Sequence, residues 1–431
     1  MPAPAGSRRW RPPSATSAAE KGGIVEMPTT HRTCKGELVG RSRGYAGSKR
    51  LRLLLVVGVT LATAITACSS SSTSNGSGGS SGGSSSTASS GGSSSEVEKA
   101  NAFIKQYLTP PTRISVTEPL ASPPPAGKTL VYLQCEQPQC QVVGAGMQAA
   151  AEAVGWEFKS IPYQSTNPST LTSGFTQALR YNPVAVSIIA MPYALWSGNV
   201  PQYQQAGVPI IPVYVGPADS NSTIIANIAN SEYAALHGQL LSAWFISDSN
   251  AKGKVLSASI PDYPYLGAVS AGFEAAVASG CSACEVTKLK IGLPDLSTGA
   301  VNGTIVSALR KDPSIKYVVV SNAALVQALP AALAAAGLSG KVKIAGCCGT
   351  TAQQQGLKSG QVAAVTGTGT TYAGWLVVDA VIRHAQGLPI PANEEFPSVG
   401  LLTKDSQVPP SDGYDQPADY ADQFKALWKI R

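Results

Sequence analysis

From Thr129 onward, short unbroken apolar runs alternate with longer stretches of helical period. Leu130-Val131-Tyr132-Leu133 opens the series as a strand. The pattern predicts helices over 142–154, 170–181 and near 196–205, with strands over 157–161, 184–190 and 210–214 between and after them. A second set follows: helices over 232–247, 268–278, 301–311 and 324–336, and strands over 255–259, 285–291, 317–321 and 342–345. Continuous rather than alternating apolar strands suit sheets covered on both faces. Strand and helix in strict alternation argue parallel sheets with helices on either side. The fold class expected is therefore α/β, with two Rossmann-like lobes of about 100–130 residues each.

Ahead of this core the pattern changes twice. Lys49, Arg50 and Arg52 precede an apolar run from Leu53 to Ala67, 15 residues long. A spanning helix needs about 20 residues, whereas an export-signal core needs about 7–15. The run ends in Ile65-Thr66-Ala67-Cys68, which resembles the bacterial lipobox and implies cleavage before Cys68 and acylation of that residue. Of the 27 residues in 69–95, 23 are Ser or Gly. Such a segment reads as a random-coil tether with an end-to-end distance on the order of 30 Å. An amphipathic piece at 97–108, Pro110-Pro111 and Pro123-Pro124-Pro125 then form an extended arm. The expected organisation is a leader over 1–67, a lipid-anchored tether over 68–98 and a Pro-rich arm over 99–128. Met27 begins a leader of more usual length than Met1 does, which leaves two possible starts.

Composition narrows the function. The chain has 431 residues, 43% of them hydrophobic and 13% charged, against roughly 25% charged in ordinary globular chains. Its formal charge is +7, but residues 1–67 hold 11 Lys/Arg and 3 Asp/Glu, so everything after the leader carries a net −1. A folded part without excess positive charge has no general attraction to nucleic acid. Only His31, His237 and His384 occur, too few for a histidine-rich metal site. No G-x-G-x-x-G, Walker A run or G-x-S-x-G elbow follows a strand, so nucleotide binding and serine hydrolysis lose their usual signatures. No catalytic residue, metal or cofactor is assigned.

Six cysteines lie in the exported part as three close pairs: Cys135 and Cys140, Cys281 and Cys284, Cys347 and Cys348. Disulfides persist outside the cytoplasm, and proximity favours the local pairing among the fifteen possible for six cysteines. Zinc competes for the C-x-x-C of Cys281 and Cys284, but no second pair completes four ligands. A redox C-x-x-C would open a helix, whereas Cys281 follows a helix end. Cys347 and Cys348 either close a small ring between Gly346 and Gly349 or remain two separate thiols. They end a strand, where open α/β sheets bind ligands, and a flat sulfur ring there would offer a ligand platform.

The stretch from about Thr129 to Gln386 resembles the type I periplasmic binding proteins of the ribose/galactose class, including actinobacterial sugar-type binding lipoproteins. The resemblance rests on Glu136-Gln137-Pro138-Gln139-Cys140, Gly207-Val208-Pro209-Ile210-Ile211-Pro212-Val213, Ser321-Asn322 and Ile344-Ala345-Gly346-Cys347-Cys348-Gly349-Thr350, in that order. It implies two lobes joined by three crossovers, closing on a small-molecule solute. The first lobe would hold 129–229 plus 369–396, and the second 230–368 plus 397–431. It further implies a monomer held to the outer face of the cytoplasmic membrane, an ABC transporter permease as partner, and no enzymatic activity. A lipoprotein presenting solute to a membrane sensor, or a surface enzyme, is the alternative.

The family's sugar-clamping charges are replaced here. Its Asp falls at Cys348, its Asp-Arg near Tyr214-Val215-Gly216, and its second-lobe Arg near Gly267, just after Tyr263 and Tyr265. The expected ligand-binding residues are Gln137, Tyr193, Trp196, Tyr214, Tyr263, Tyr265, Asn322, Cys348 and Tyr372, giving a cleft of aromatics and amides with few charges.

Overall fold

The computed structural model describes residues 91–218, 221–407 and 410–431. The leader, Cys68 and the tether as far as residue 90 lie outside the described residues. No helix among the described residues is long and apolar enough to cross a membrane.

The first lobe is a four-stranded parallel sheet. Its strands are β1 (Thr129–Cys135), β2 (Glu157–Tyr163), β3 (Ala185–Ile189) and β4 (Ile210–Val213), ordered β2-β1-β3-β4. The connecting helices are α2 (Pro138–Ala153), α3 (Pro168–Leu179) and α4 (Val200–Ala206). The second lobe opens with α5 (Ser231–Asp248) and continues through β5 (Lys254–Ser259), α6 (Pro264–Gly280), β6 (Glu285–Lys290), α7 (Leu293–Thr298), α8 (Val301–Lys311) and β7 (Tyr317–Val320). It goes on through α9 (Leu329–Ala335), β8 (Lys343–Gly346), α10 (Thr351–Ser359) and β9 (Ala364–Thr368). After α11 (Thr370–Ala385), β10 (Val399–Leu402) adds antiparallel to β9, so the second sheet reads β10-β9-β8-β7-β5-β6. In both sheets the order reverses beside the first strand, between β1 and β3 and between β5 and β7, and such switch points open crevices at the carboxyl ends of the strands.

Prolines explain where helices start later than the periodicity suggests. The helix expected near 196–205 begins only at Val200, with Pro201 in its first turn. The one expected over 324–336 divides into a 3-10 turn, Ala323–Val326, and α9, with Pro330 in the first turn of α9. Proline lacks the N–H and clashes with the preceding turn inside a helix, but fits at the start.

The expected random coil is also corrected at its end. Residues 91–98 belong to a helix, α1 (Gly91–Lys105). Its Ser/Gly start is a poor helix former, but Ala100 and Ile104 are buried, Glu96 Oε1 accepts the Ser282 amide at 2.9 Å, and Ser247 Oγ donates to Asn101 Oδ1 at 2.7 Å. Tertiary packing on the second lobe outweighs the weak propensity. The arm then crosses to the first lobe, where Pro125 O accepts Trp156 Nε1 at 2.8 Å. The tail divides in the same way. β10 extends the second sheet, but α12 (Tyr420–Leu427) packs on α11 through Tyr372, Trp375 and Phe424 rather than on the second lobe.

Two helix pairs are packed closely enough to need glycine. A Cβ on Gly374 of α11 would lie 2.3 Å from Met147 N of α2, and one on Gly238 of α5 would lie 2.1 Å from Val269 O of α6. Gly303, inside α8, has nothing within 4 Å of such a Cβ. Gly374→Ala should therefore destabilise the protein by about 1–3 kcal/mol through overpacking. Gly303→Ala should stabilise it by about 0.5–1 kcal/mol through helix propensity. Urea unfolding midpoints of the two variants, expected to move in opposite directions, check both.

Candidate functional site between the lobes

The strand ends of the two lobes meet directly. Tyr214, just beyond β4, sends its ring edge-on against Tyr265 at the start of α6, with centroids 5.3 Å apart. Its hydroxyl lies 3.0 Å from Thr368 Oγ1 at the end of β9. Gly216 packs on Pro264 so closely that a Cβ there would come within 2.3 Å of the proline Cβ.

A chain of polar contacts runs inward from this seam. Thr368 Oγ1 also lies 2.8 Å from the Tyr233 hydroxyl, which donates to Ser398 O at 3.0 Å. The Tyr233 ring meets His237 edge-on at 4.7 Å. His237 Nδ1 bonds Thr366 Oγ1 at 2.8 Å. The Cys347–Cys348 disulfide follows, and Ala323 N donates to Cys347 O at 2.8 Å. The other cysteines pair locally too, Cys135 with Cys140 and Cys281 with Cys284.

Several site groups are strained or unsatisfied. Ala190, Tyr214, Ala229 and Cys348 all hold left-handed backbone, with φ from 52° to 64°. Each stands at a strand end or a crossover, and such conformations concentrate at functional sites. The buried Tyr265 hydroxyl and Ser321 Oγ have no hydrogen-bond partner. Burial pushes the phenols of Tyr214, Tyr265 and Tyr233 well up, so all three stay neutral donors. On the first lobe, burial works to raise the Glu136 carboxyl. Amide hydrogen bonds from its own backbone and Ser165, with side-chain bonds from Ser165 and Gln137, outweigh it and hold the group below its ordinary value. The Tyr263 phenol is raised by burial first and by the Glu136 charge second.

Of the expected ligand residues, Tyr214, Tyr263 and Tyr265 line this seam, and Cys348 joins it through the inward chain. Gln137 is exposed at the cap of α2, and half-buried Asn322 spends its Oδ1 on the Ala324 amide at 2.9 Å. Tyr193 is half-buried and packs on Trp196. Two residues are corrected. Trp196 is fully buried, stacks on Phe175 at 5.8 Å and donates to Met191 O, so it is core of the first lobe. Tyr372 turns its hydroxyl to the arm, 2.7 Å from the Ser115 amide, and its ring to α12. Both face the helical side of a sheet rather than its strand ends. Ser321, Tyr233 and Thr368 were missed as site residues. Ser321 could have been found, since it is the last residue of the strand expected over 317–321, whereas Thr368 closes a strand the pattern did not reveal.

Two lobes with opposed switch points and a polar seam define a hinged binding protein. The chain belongs to the periplasmic binding protein domain family, whose model matches residues 131–389. Among solved structures it is similar to a 5-methylthioribose transporter solute-binding protein from Thermotoga lettingae, at 16% identity and a TM-score of 0.58, over 73% of this chain and 99% of that one. It is also similar to an ABC sugar transporter subunit from Rhodobacter sphaeroides, at 18% identity and a TM-score of 0.56, over 65% and 99%. A glucose-galactose binding protein from Geobacillus stearothermophilus matches at 15% identity and a TM-score of 0.56, over 66% and 100%. Comparison with curated protein sequences finds no match.

His237 makes the site acid-sensitive. Burial lowers its pKa from 6.5 to about 3. Below pH 6.5 the unfolded chain takes up a proton that the folded chain refuses, so stability is complete above that pH and falls as pH drops toward 3. The slope is about 1.4 kcal/mol per pH unit, or roughly 2 kcal/mol lost by pH 5. His237→Gln should remove this component. Urea unfolding from neutral pH to pH 5, taken as wild type minus variant, checks it.

Proposed function

We propose that this protein is a lipid-anchored, extracytoplasmic solute receptor that closes on a small neutral molecule of sugar-like size and hands it to an ABC importer. The observation that carries the reading is the meeting of both lobes' strand ends at Tyr214 and Tyr265, beside buried hydroxyls that lack a partner. A bound solute would satisfy Tyr265 Oη and Ser321 Oγ, and the tyrosine rings would supply apolar contact for a sugar's carbon face. The family match and the sugar-transporter names of the similar structures support the solute class. With neutral phenols and amides in place of the family's clamping charges, affinity should depend weakly on salt. The lipobox at Cys68 and the Ser/Gly run after it support the anchor.

A thermal-shift screen over neutral sugars, polyols and methylthio-sugars, followed by titration calorimetry, identifies the solute. Tyr265→Phe should stabilise the empty protein, because it removes an unpartnered buried hydroxyl. It should also weaken solute binding by about 0.5–1.5 kcal/mol, one net hydrogen bond. Unchanged affinity in that variant removes Tyr265 from the site. Deleting the gene should abolish uptake of the same solute; uptake that persists would favour delivery to a membrane sensor.

Anchoring has its own test. Cys68→Ala should leave the chain unprocessed or free in the medium, read by mass spectrometry of the membrane and soluble fractions. A wild-type protein with an unmodified amino terminus elsewhere would overturn it.

A further inference from the structure

The Cys347–Cys348 pair has a neighbour that solute binding does not require. A ring nitrogen of His237 and both cysteine sulfurs lie within 4.8 Å of one another, and all three residues are buried. Among the described residues this is the one such gathering of three His, Cys, Asp or Glu ligand atoms. His237 Nδ1 is engaged by Thr366 Oγ1 at 2.8 Å, while Nε2 is buried without any hydrogen-bond partner. A lone buried ring nitrogen carries a desolvation cost that an aliphatic residue at this point of α5 would avoid. One nitrogen held by a neighbouring hydroxyl and the other left bare is the arrangement of a metal-ligating imidazole.

The scaffold around the three groups does not rely on the disulfide. Cys347 is tied to β7 by its amide, which donates to Val320 O at 3.1 Å, and by its carbonyl, which accepts from Ala323 N at 2.8 Å. His237 is fixed by the close contact of the adjacent Gly238 with α6. Ligands carried on rigid elements are the ones that hold a defined geometry. Cys348 lies just beyond β8, at the carboxyl ends of the strands.

We propose that reduction of the Cys347–Cys348 disulfide creates a site for a thiophilic metal ion, with Cys347 Sγ, Cys348 Sγ and His237 Nε2 as its ligands. A dithiol reductant gives up two electrons and two protons, its own sulfurs pair, and the Cys347–Cys348 bond breaks to two thiols. Binding a divalent ion then forms two metal–sulfur bonds and one metal–nitrogen bond and releases the two thiol protons to water. Two thiolates and an imidazole suit zinc and cadmium, and three protein ligands leave a fourth position open. The disulfide is the metal-free state of the same site.

The full chain, reduced with a phosphine under argon, is titrated with cadmium, following the thiolate-to-cadmium absorption and counting ions by equilibrium dialysis. Reduced wild type should hold one tightly bound ion more than the Cys347→Ser/Cys348→Ser variant, and oxidised wild type should lack that ion. Thr366→Val keeps all three ligands and should weaken this ion's binding by about 10–100-fold. His237→Gln should weaken it at least as much while keeping the thiolate band. Cys348→Ser alone replaces the double variant if the latter does not fold, as judged by circular dichroism. Equal ion counts in wild type and the cysteine variant would overturn the proposal. So would wild-type affinity in both Thr366→Val and His237→Gln.

Discussion

The hydroxyl of Thr368 is the point on which both lobes depend. It receives Tyr214 from the first lobe at 3.0 Å and meets Tyr233 of the second at 2.8 Å. A hydroxyl has one proton and two lone pairs, so the three groups are satisfied by one directional chain. Tyr214 donates to Thr368, Thr368 to Tyr233, and Tyr233 to Ser398 O. Each bond polarises the next. Thr368 ends β9 and Ser398 precedes β10, so this chain ties two crossovers together, and Glu395 ties in the third. Its carboxylate accepts the Asn227 amide at 2.8 Å and Asn230 Nδ2 at 2.6 Å.

The closed contact is weak in proportion to the fold. One net hydrogen bond contributes about 0.5–1.5 kcal/mol, and an edge-on aromatic pair adds a similar amount. Together they amount to a few kcal/mol, the range in which a ligand's differential affinity can decide between two conformations. The helix pairs that define each lobe are of another kind. Gly146 and Gly374 on one side, and Gly238 and Gly272 on the other, bring backbone against backbone, so the packing within each pair leaves no room for a side chain.

Most of the fold was legible because burial on both faces leaves an unmistakable apolar run. The strands near 130, 185, 211, 256 and 318 all stand where such runs predict them. β9 escaped because Ala364–Thr368 holds two threonines and a glycine, and β10 because Val399–Leu402 is only four residues long and is interrupted by a glycine. The site was legible in part for a related reason. Position after a strand places Tyr214, Tyr263 and Cys348 at the seam, but position alone cannot tell which way a ring turns. Trp196 and Tyr372 follow the same rule and turn inward, where Phe175 and Phe424 give them more contact than a cleft could. The network through Tyr233, Thr366 and Thr368 joins residues more than 100 positions apart, and nothing local in the chain announces it.

Arm and tail add two further links between the lobes. α1 lies on the second lobe, Tyr107 O then accepts the Leu401 amide at 2.9 Å, and the chain goes on to the first lobe. There Arg383 Nε bonds Asp379 Oδ2, and Arg383 Nη2 donates to Glu118 O at 2.6 Å. Trp428 Nε1 donates to Asp379 Oδ1, which fixes the end of the tail to the same spot. Burial first, and the neighbouring Asp379 second, push the Glu394 carboxyl well up. The arm and the tail are thus both anchored to α11, the helix that starts two residues beyond Thr368.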